Sequence, residues 1–285
     1  MKIKKIGVLY HPRVAITLAK ANELADSLKK RGISVWISSA WEKDETRALL
    51  KGTDLLLTVG GDGTILRAVQ SIIPGTTPVT GINPGKLGFL TEIDAAEALK
   101  TLPRLLEGKG WLDERSMLQV ELKSKGHRPQ VFHALNDAVI GRGEIARIIR
   151  IDAAVDGQPF ITYRADAVIA ATATGSTGYA LAVGGPVMHP QSRDFLLVSV
   201  APHLCFSYPL VLAETSEVVL SLNTYHAATL SIDGHINLPL SDGDKLTIKR
   251  SPHVARFYRI RPRDSFYRSL EAKLKGKQGE SGRKS

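Results

Sequence analysis

Residues 55–69 constrain the fold of this chain more than any other stretch. Leu55-Leu56-Leu57-Thr58-Val59 has the composition of a buried strand, and Ile65-Leu66-Arg67-Ala68-Val69 reads as a helix. Gly60-Gly61-Asp62-Gly63-Thr64 joins them. A strand that feeds a helix through a glycine turn is a unit of an α/β sheet, where ligands bind at the carboxyl ends of the strands. The free N–H groups at a helix amino terminus favour anions such as phosphate, and glycines let a backbone approach phosphates closely. Gly60, Gly61, Gly63 and Thr64 are therefore the candidate phosphate loop. Asp62 is the candidate catalytic group, placed to orient a hydroxyl nucleophile and accept its proton. A carboxylate is a weak base at neutral pH, but phosphoryl transfer passes through a loose transition state, so taking the proton late is enough. The structural alternative is a plain strand-to-helix turn with Asp62 as the N-cap. On this segment alone both readings stand.

The flanking pattern extends the α/β reading over residues 1–110. Strands are predicted at Lys5–Tyr10, Ile33–Ile37, Asp54–Val59 and Pro78–Ile82. Helices are predicted over Ala15–Lys30, closed by Gly32, and over Asp44–Leu50. Asp94-Ala95-Ala96-Glu97 resembles a capping box before a helix ending near Leu106. This order predicts a parallel sheet with right-handed crossovers.

After about Gly110 the pattern changes. Met117–Lys123, Val131–Ile140, Ile148–Val155, Phe160–Tyr163, Ala167–Ala171, Leu196–Val200, Val218–Leu222, Ala228–Ile232 and Lys245–Lys249 read as strands between turns. Residues 111–254 are predicted to be a mainly β, sandwich-like domain. Ligand sites favour the cleft between two such domains.

Composition excludes several classes. A single cysteine, Cys205, forbids an intrachain disulfide and fits a reducing, cytoplasmic location; a buried inert thiol is its default role. The longest apolar run, Phe195–Ala201, is far short of the ~20 residues that span a bilayer. The net charge is +10, and half of it lies in residues 261–285, which hold eight Lys or Arg against three Asp or Glu. The run 276–285 is predicted to be a disordered basic tail. It lacks interleaved aromatics, so no specific nucleic-acid partner is expected. The eight histidines show no metal-binding spacing, and no protein ligand for a metal is assigned.

Three further segments carry polar groups in unusual places. Asn83-Pro84-Gly85-Lys86-Leu87-Gly88-Phe89-Leu90-Thr91 is a second glycine loop at the same sheet edge as the first. Lys86 could meet phosphate or be plainly solvated. Asn136-Asp137 interrupts the apolar strand Ala134–Ile140; it is either a strand end or bulge, or a pair suited to ribose hydroxyls. Thr172-Ala173-Thr174-Gly175-Ser176-Thr177-Gly178-Tyr179 packs five hydroxyl side chains and two glycines into eight residues and leads to Gly184-Gly185-Pro186. A Ser/Thr/Gly linker is the alternative there, and Tyr179 could stack on a base or fill the core. Asp233-Gly234-His235 ends a strand and is compatible with a simple hairpin turn.

In this order and spacing, Gly60–Thr64, Asn83–Thr91, Asn136-Asp137, Thr172–Pro186 and Asp233-Gly234 resemble the NAD kinases, from about Lys5 to Arg261. The resemblance implies an amino-terminal α/β domain and a largely β carboxy-terminal domain, with the segment near 255–275 returning to the first. It implies transfer of the γ-phosphoryl group of ATP, or in some members of polyphosphate, to the 2′-hydroxyl of the adenosine ribose of NAD, giving NADP. A divalent cation, usually Mg²⁺, and a homodimer or homotetramer are implied as well. Carried onto this sequence, Asp62 is the proton acceptor, and Asp62 and Gly63 touch NAD. Asn136 and Asp137 hold the dinucleotide. Arg147, Arg164 and Asp166 fall at further NAD contacts, and Thr177, Gly178, Tyr179, Ala180, Leu181 and Ala182 line the NAD pocket.

The chain departs from the family pattern at Ala173, Gly178, Ala182 and His235, where proline, alanine, serine and glutamine are common. These changes bear on pocket selectivity rather than on the reaction. Two rivals remain at this stage. Lipid kinases of the diacylglycerol and sphingosine types, like 6-phosphofructokinase, share the glycine-acid loop, but no amphipathic basic helix is evident here. A non-catalytic NAD(P)-binding regulator would have less reason to keep Asp62 and both loops.

Overall fold

The predicted alternation of strand and helix folds as an α/β unit. A computed structural model describes residues 2–85, 88–144, 147–203, 208–263, 266–267 and 270–271. Lys86, Cys205 and the basic run 276–285 lie outside the described residues. The chain divides into two compact units, 1–113 with 256–285, and 114–255.

The first unit runs β1 (Lys5–Tyr10), α1 (Ala15–Lys29), β2 (Ser34–Ser39), α2 (Lys43–Leu49), β3 (Leu55–Val59), α3 (Asp62–Ile72), β4 (Val79–Asn83), β5 (Ile93–Asp94) and α4 (Ala98–Leu106). β2, β1, β3, β4 and β5 pair in parallel in that order. Every residue of β3 and β4 is buried, as a strand covered on both faces requires. Leu24 and Leu28 of α1, Leu102 and Leu105 of α4, and Val8, Leu57 and Ile82 of the sheet share one core. Gly32 follows α1 at φ 78°, a left-handed value suited to a residue without Cβ.

The capping box expected at Asp94–Glu97 does not form. Asp94 belongs to β5, and its Oδ1 accepts the Ala96 N–H at 2.8 Å, while Glu97 makes no side-chain cap bond. The acid turns the chain after a strand instead of capping the helix.

β6 (Trp111–Lys123) carries the chain from the first unit into the second. There follow β7 (Gln130–Ala134), β8 (Asp137–Arg142), β9 (Ile149–Val155), β10 (Gln158–Ala165), β11 (Ala167–Thr172), a 3₁₀ turn (Gly175–Thr177) and the short α5 (Tyr179–Ala182). β12 (Phe195–Val200), β13 (Leu210–Leu212), β14 (Glu217–Leu222), β15 (Ala228–Ile232), β16 (Ile236–Leu240) and β17 (Lys245–Arg259) complete the order. β17 is far longer than the expected Lys245–Lys249 and ends in the first unit.

The second unit is a sandwich. One antiparallel sheet has the order β13-β12-β11-β8-β15-β16; β10, β9, β14 and β17 pair antiparallel in the other. Val168 and Ala170 of β11 face the core shared with Ile151, Leu220 and Ile248, whereas Ile169 and Ala171 face out and pack under Ala180 of α5. That outer cluster seats the 173–182 segment on the sheet.

Val131–Ile140, read as one strand, is two. β7 pairs with β6, and β8 pairs with β11 and β15 in the opposite sheet, with the break at Leu135-Asn136. A strand that changes sheets must leave its ladder at the corner, and the polar pair sits at that corner.

Candidate active site

The Gly60–Thr64 turn is built from the inside outward. The Gly60 N–H donates to the Ile82 carbonyl at 2.9 Å, and a Cβ on Gly60 would overlap the buried Thr64 side chain. These two residues pack on each other. Gly61 and Gly63 have open space where a side chain would stand, and Gly61 is the N-cap residue of α3 with no side chain to bond there. Asp62 is the first residue of α3, not its N-cap.

The second glycine loop holds the Asp62 carboxylate. The Phe89 N–H donates to Oδ2 at 2.8 Å and the Leu90 N–H to Oδ1 at 3.0 Å. Gly88 passes so close that a Cβ there would run into the same carboxylate. The Gly88 N–H donates to Thr91 Oγ1 at 2.8 Å, which fixes the turn. Each carboxylate oxygen keeps a lone pair beyond these bonds. Arg259, at the end of β17, is buried and donates from Nη1 to the Leu90 carbonyl at 2.7 Å; it also pairs with Glu92 at 3.2 Å and Asp113 at 3.3 Å. Gly88 and Arg259 therefore set the position of Asp62, and sequence reading assigned neither a role.

In the second unit, Asp233 organises the loop at the strand break. Its Oδ1 accepts the N–H groups of Asn136 and Asp137, at 2.7 and 3.2 Å, and its Oδ2 accepts that of Leu135 at 3.0 Å. In return the Asp233 N–H donates to the Asp137 carbonyl at 2.9 Å. Asp233 and Gly234 have φ of 50° and 69°, the left-handed pair of a tight hairpin between β15 and β16. The hairpin was legible in the sequence. The three N–H groups its acid receives were not, because they come from about a hundred residues earlier.

The 172–178 turn is knotted by its own hydroxyls and is no linker. Thr172 Oγ1 donates to the Leu135 carbonyl at 2.6 Å and accepts the Gly175 N–H at 3.1 Å. Ser176 Oγ donates to the Ala173 carbonyl at 2.7 Å and accepts the Met188 N–H at 3.0 Å, while Thr177 Oγ1 donates to the Thr174 carbonyl at 3.2 Å. A Cβ on Gly175 would collide with the Asn136 backbone. The position of a Cβ on Gly178 lies 3.8 Å from both Asn136 Nδ2 and Asp137 Oδ2, so Asn136, Asp137 and Gly178 converge. Ala180 is buried, Leu181 half-buried, and Ala182 and Tyr179 exposed, so Tyr179 does not fill the core.

Two features of this convergence point to a ligand. Asn136 Oδ1 is buried without a hydrogen-bond partner, a costly state for an amide oxygen. Burial, and secondly the Asp233 carboxylate, push the Asp137 carboxyl up to about 7, a perturbation common at functional sites.

Arg147, Arg164 and Asp166 are not brought to this point within one chain. Asp166 pairs with Arg142 at 3.2 Å, at the opposite end of β8 from Asp137, roughly 17 Å along the strand. Arg164 lines a separate cavity of about 330 Å³ with Arg150, His203 and Tyr225. Arg147 is exposed just before β9.

Comparison with known proteins places this architecture. Family models for the ATP-NAD kinase N-terminal and C-terminal domains match residues 13–110 and 135–260. The NAD kinase of Dehalococcoides mccartyi (strain CBDB1) is 46% identical over 274 residues, 96% of either chain. That of Chloroflexus aurantiacus (strain ATCC 29366) is 38% identical over 273 residues, covering 96% of this chain and 99% of the other. Among solved structures, yeast NADH kinase complexed with NADH superposes with a TM-score of 0.85 at 24% identity, covering 96% of this chain and 88% of that one. An NAD kinase from Archaeoglobus fulgidus in complex with ATP gives 0.76 at 26%, covering 95% and 98%. The chain belongs to the NAD kinase family.

Proposed function

We propose that this kinase transfers the γ-phosphoryl group of ATP to the 2′-hydroxyl of the adenosine ribose of NAD, with Asp62 as proton acceptor and Asn136 and Asp137 as dinucleotide ligands. The observation that carries the acceptor assignment is the buried, unpartnered Asn136 Oδ1 in a loop whose other groups are tied by hydrogen bonds. A ribose or amide donor would satisfy it. Asp137, accepting from a ribose hydroxyl, is held in its ionised form. Gly63 and the Thr177–Ala182 segment complete the NAD contacts, and the open sides of Gly61 and Gly63 leave room for phosphate.

In the reaction, the ribose O–H proton passes to Asp62 as its oxygen bonds to the γ-phosphorus and the bond from that phosphorus to ADP breaks. The Phe89 and Leu90 N–H groups hold the carboxylate still during this step. Preorganisation of this kind supplies most of catalysis where the transition state is loose.

Mg²⁺ would accompany the donor. Among the described residues no group of three or more His, Cys, Asp or Glu side chains could hold a metal ion. A cation carried on phosphate oxygens and water needs no such cage, and no step above runs through it. ATP as donor is supported by its presence in the Archaeoglobus fulgidus structure. A homodimer or homotetramer would let Arg147, Arg164 and Asp166 of one copy serve the dinucleotide of another. A cytoplasmic location fits the single cysteine; no helix among the described residues is long and apolar enough to cross a membrane.

Purified protein with ATP, Mg²⁺ and NAD should yield NADP, read with an NADP-specific dehydrogenase. Asp62→Asn should lower turnover by roughly 10²–10⁴ and leave NAD binding largely intact. Turnover near that of the wild type removes Asp62 from its role.

A further inference from the structure

Leu90 is held at both ends. Its N–H donates to Asp62 Oδ1 at 3.0 Å, and its carbonyl accepts from Arg259 Nη1 at 2.7 Å. Behind Arg259 stands Glu92, an acid that the reaction above does not use. Glu92 is buried, at 4% exposure. Its N–H donates to the Gly81 carbonyl of β4 at 2.8 Å, which fixes its backbone to the sheet. Its Oε1 accepts two backbone N–H groups, from Ile260 at 2.9 Å and Arg261 at 2.7 Å, and its Oε2 accepts from Arg259 Nη1 at 3.2 Å. One carboxylate thus fastens three consecutive residues at the end of β17 and just beyond it.

The same segment has other anchors. Buried Phe257 pairs with Val79 of β4, the Thr80 hydroxyl donates to the Tyr258 carbonyl at 2.7 Å, and the Tyr258 hydroxyl accepts the Gly110 N–H at 2.8 Å. Arg104 donates to the Ile260 carbonyl at 2.9 Å, and Trp111 Nε1 to the Arg261 carbonyl at 2.8 Å. A buried ion pair is a costly way to add one more tie to such a strand. Both charges give up water, and apolar residues of similar volume often serve as well. Charge and a planar fork provide what packing does not, which is direction. The buried guanidinium of Arg259 meets Glu92, Asp113 and the Leu90 carbonyl at once, so the place of each is set by the others.

We propose that Glu92 and Arg259 are positioning residues for phosphoryl transfer, acting together through Leu90. Glu92 locks the end of β17, Arg259 carries that lock to the Leu90 carbonyl, and the Leu90 N–H holds the Asp62 carboxylate where the ribose hydroxyl meets it. The carboxy-terminal strand end is thereby part of the catalytic apparatus without supplying a reacting group. The inference rests on Asp62 as proton acceptor. Loosening the lock lowers the rate rather than the affinity for substrates, because Asp62 stays in the site but loses its alignment.

The test uses the full-length enzyme with Glu92→Gln, Arg259→Lys and Arg259→Ala, assayed with ATP, Mg²⁺ and NAD once circular dichroism has given the folded fraction. In Glu92→Gln the amide turns its NH₂ group either toward Arg259 or toward the Ile260 and Arg261 N–H groups, so one set of donors loses its acceptor. The kcat per folded molecule should fall roughly tenfold or more, with the KM for NAD and for ATP within threefold. Arg259→Lys keeps the charge but cannot span Leu90, Glu92 and Asp113 together, and its kcat should also fall. Millimolar guanidinium added to Arg259→Ala should recover part of the lost kcat, which a general loss of stability would not allow. Wild-type kcat per folded molecule in Glu92→Gln and Arg259→Lys overturns the proposal, and so does a folded Arg259→Ala enzyme that guanidinium leaves unchanged. Where Arg259→Ala does not fold, the other two variants decide. An Asp62→Asn enzyme with turnover near that of the wild type overturns instead the acceptor reading beneath the proposal.

Discussion

Gly88→Ala adds one methyl group to a loop residue that performs no chemistry, and it should disable the enzyme. The added Cβ would stand 2.5 Å from the Asp62 carboxyl carbon and 2.6 Å from Oδ2, where ordinary contact begins near 3.4 Å. Oδ1 is nearer still, so the carboxylate or the loop must move by at least about 0.9 Å. Either movement pulls apart the bonds from the Phe89 and Leu90 N–H groups, now 2.8 and 3.0 Å long. Hydrogen bonds to a charged group contribute ~1.5–3 kcal/mol each, so the loop cannot absorb the methyl group at no cost. A displacement near 1 Å at a reacting group costs on the order of 10² in rate. The expected result is a kcat reduced about 10²-fold with the KM for NAD and ATP within threefold, measured by coupled NADP detection. Circular dichroism and thermal melting should show a folded protein, because Gly88 is partly exposed and the three atoms nearest the added Cβ belong to the Asp62 side chain. A folded Gly88→Ala enzyme with wild-type kcat would refute the argument that the second loop holds Asp62 where the reaction needs it.

The second unit yields four further predictions. Asp137, ordinarily near 3.8, is raised to about 7 by burial and then by Asp233. A folded-state value above the unfolded one stabilises the protein fully below pH ~4, and this stability is lost as pH rises through about 7. The melting temperature of the apo protein should therefore fall from pH 5 to pH 8, and Asp137→Asn should flatten that slope; an equally steep slope in the variant removes Asp137 as its source. Calorimetry near pH 7 in buffers of different ionisation enthalpy should show about half a proton released on NAD binding, and no release means that NAD does not select the carboxylate. Asn136→Ala should weaken NAD binding roughly tenfold or more without lowering apo stability, since its Oδ1 is already unpartnered; an unchanged dissociation constant counts against the acceptor assignment. Asp233→Asn leaves one acceptor oxygen for three N–H groups, and an orphaned Leu135 N–H costs about 1–3 kcal/mol, so the melting temperature should drop by several degrees. An unshifted transition shows that the strand break does not depend on that carboxylate.

The α/β half was legible because its signals are local. Periods of two and 3.6, and the turn glycines, report on a few residues at a time, and β1, β3 and β4 lie within a residue of their expected bounds. The Asp94 capping box failed because Asp94 was already committed to a strand pairing with β4, a contact its four-residue pattern does not encode. The length of β17 escaped for a related reason: Ser251, His253 and Arg256 break the apolar alternation, and pairing partners elsewhere in the chain keep the strand going.

The sequence by itself determined the chemistry available: an acid on a glycine turn, a second glycine loop, a polar pair in an apolar strand and a hydroxyl-rich turn, in an order that identifies the family. The tertiary structure decided how those groups are held. Asp62 is positioned by Phe89, Leu90 and a Gly88 that leaves it room, with Arg259 behind them. The chain breaks at Leu135-Asn136 and resumes as β8 at Asp137 where Asp233, 97 residues after Asn136, takes the N–H groups of both. Hydrogen bonds and close packing join atoms by distance in space. A pattern read along the chain names the donors and acceptors, and only the folded backbone says which of them meet.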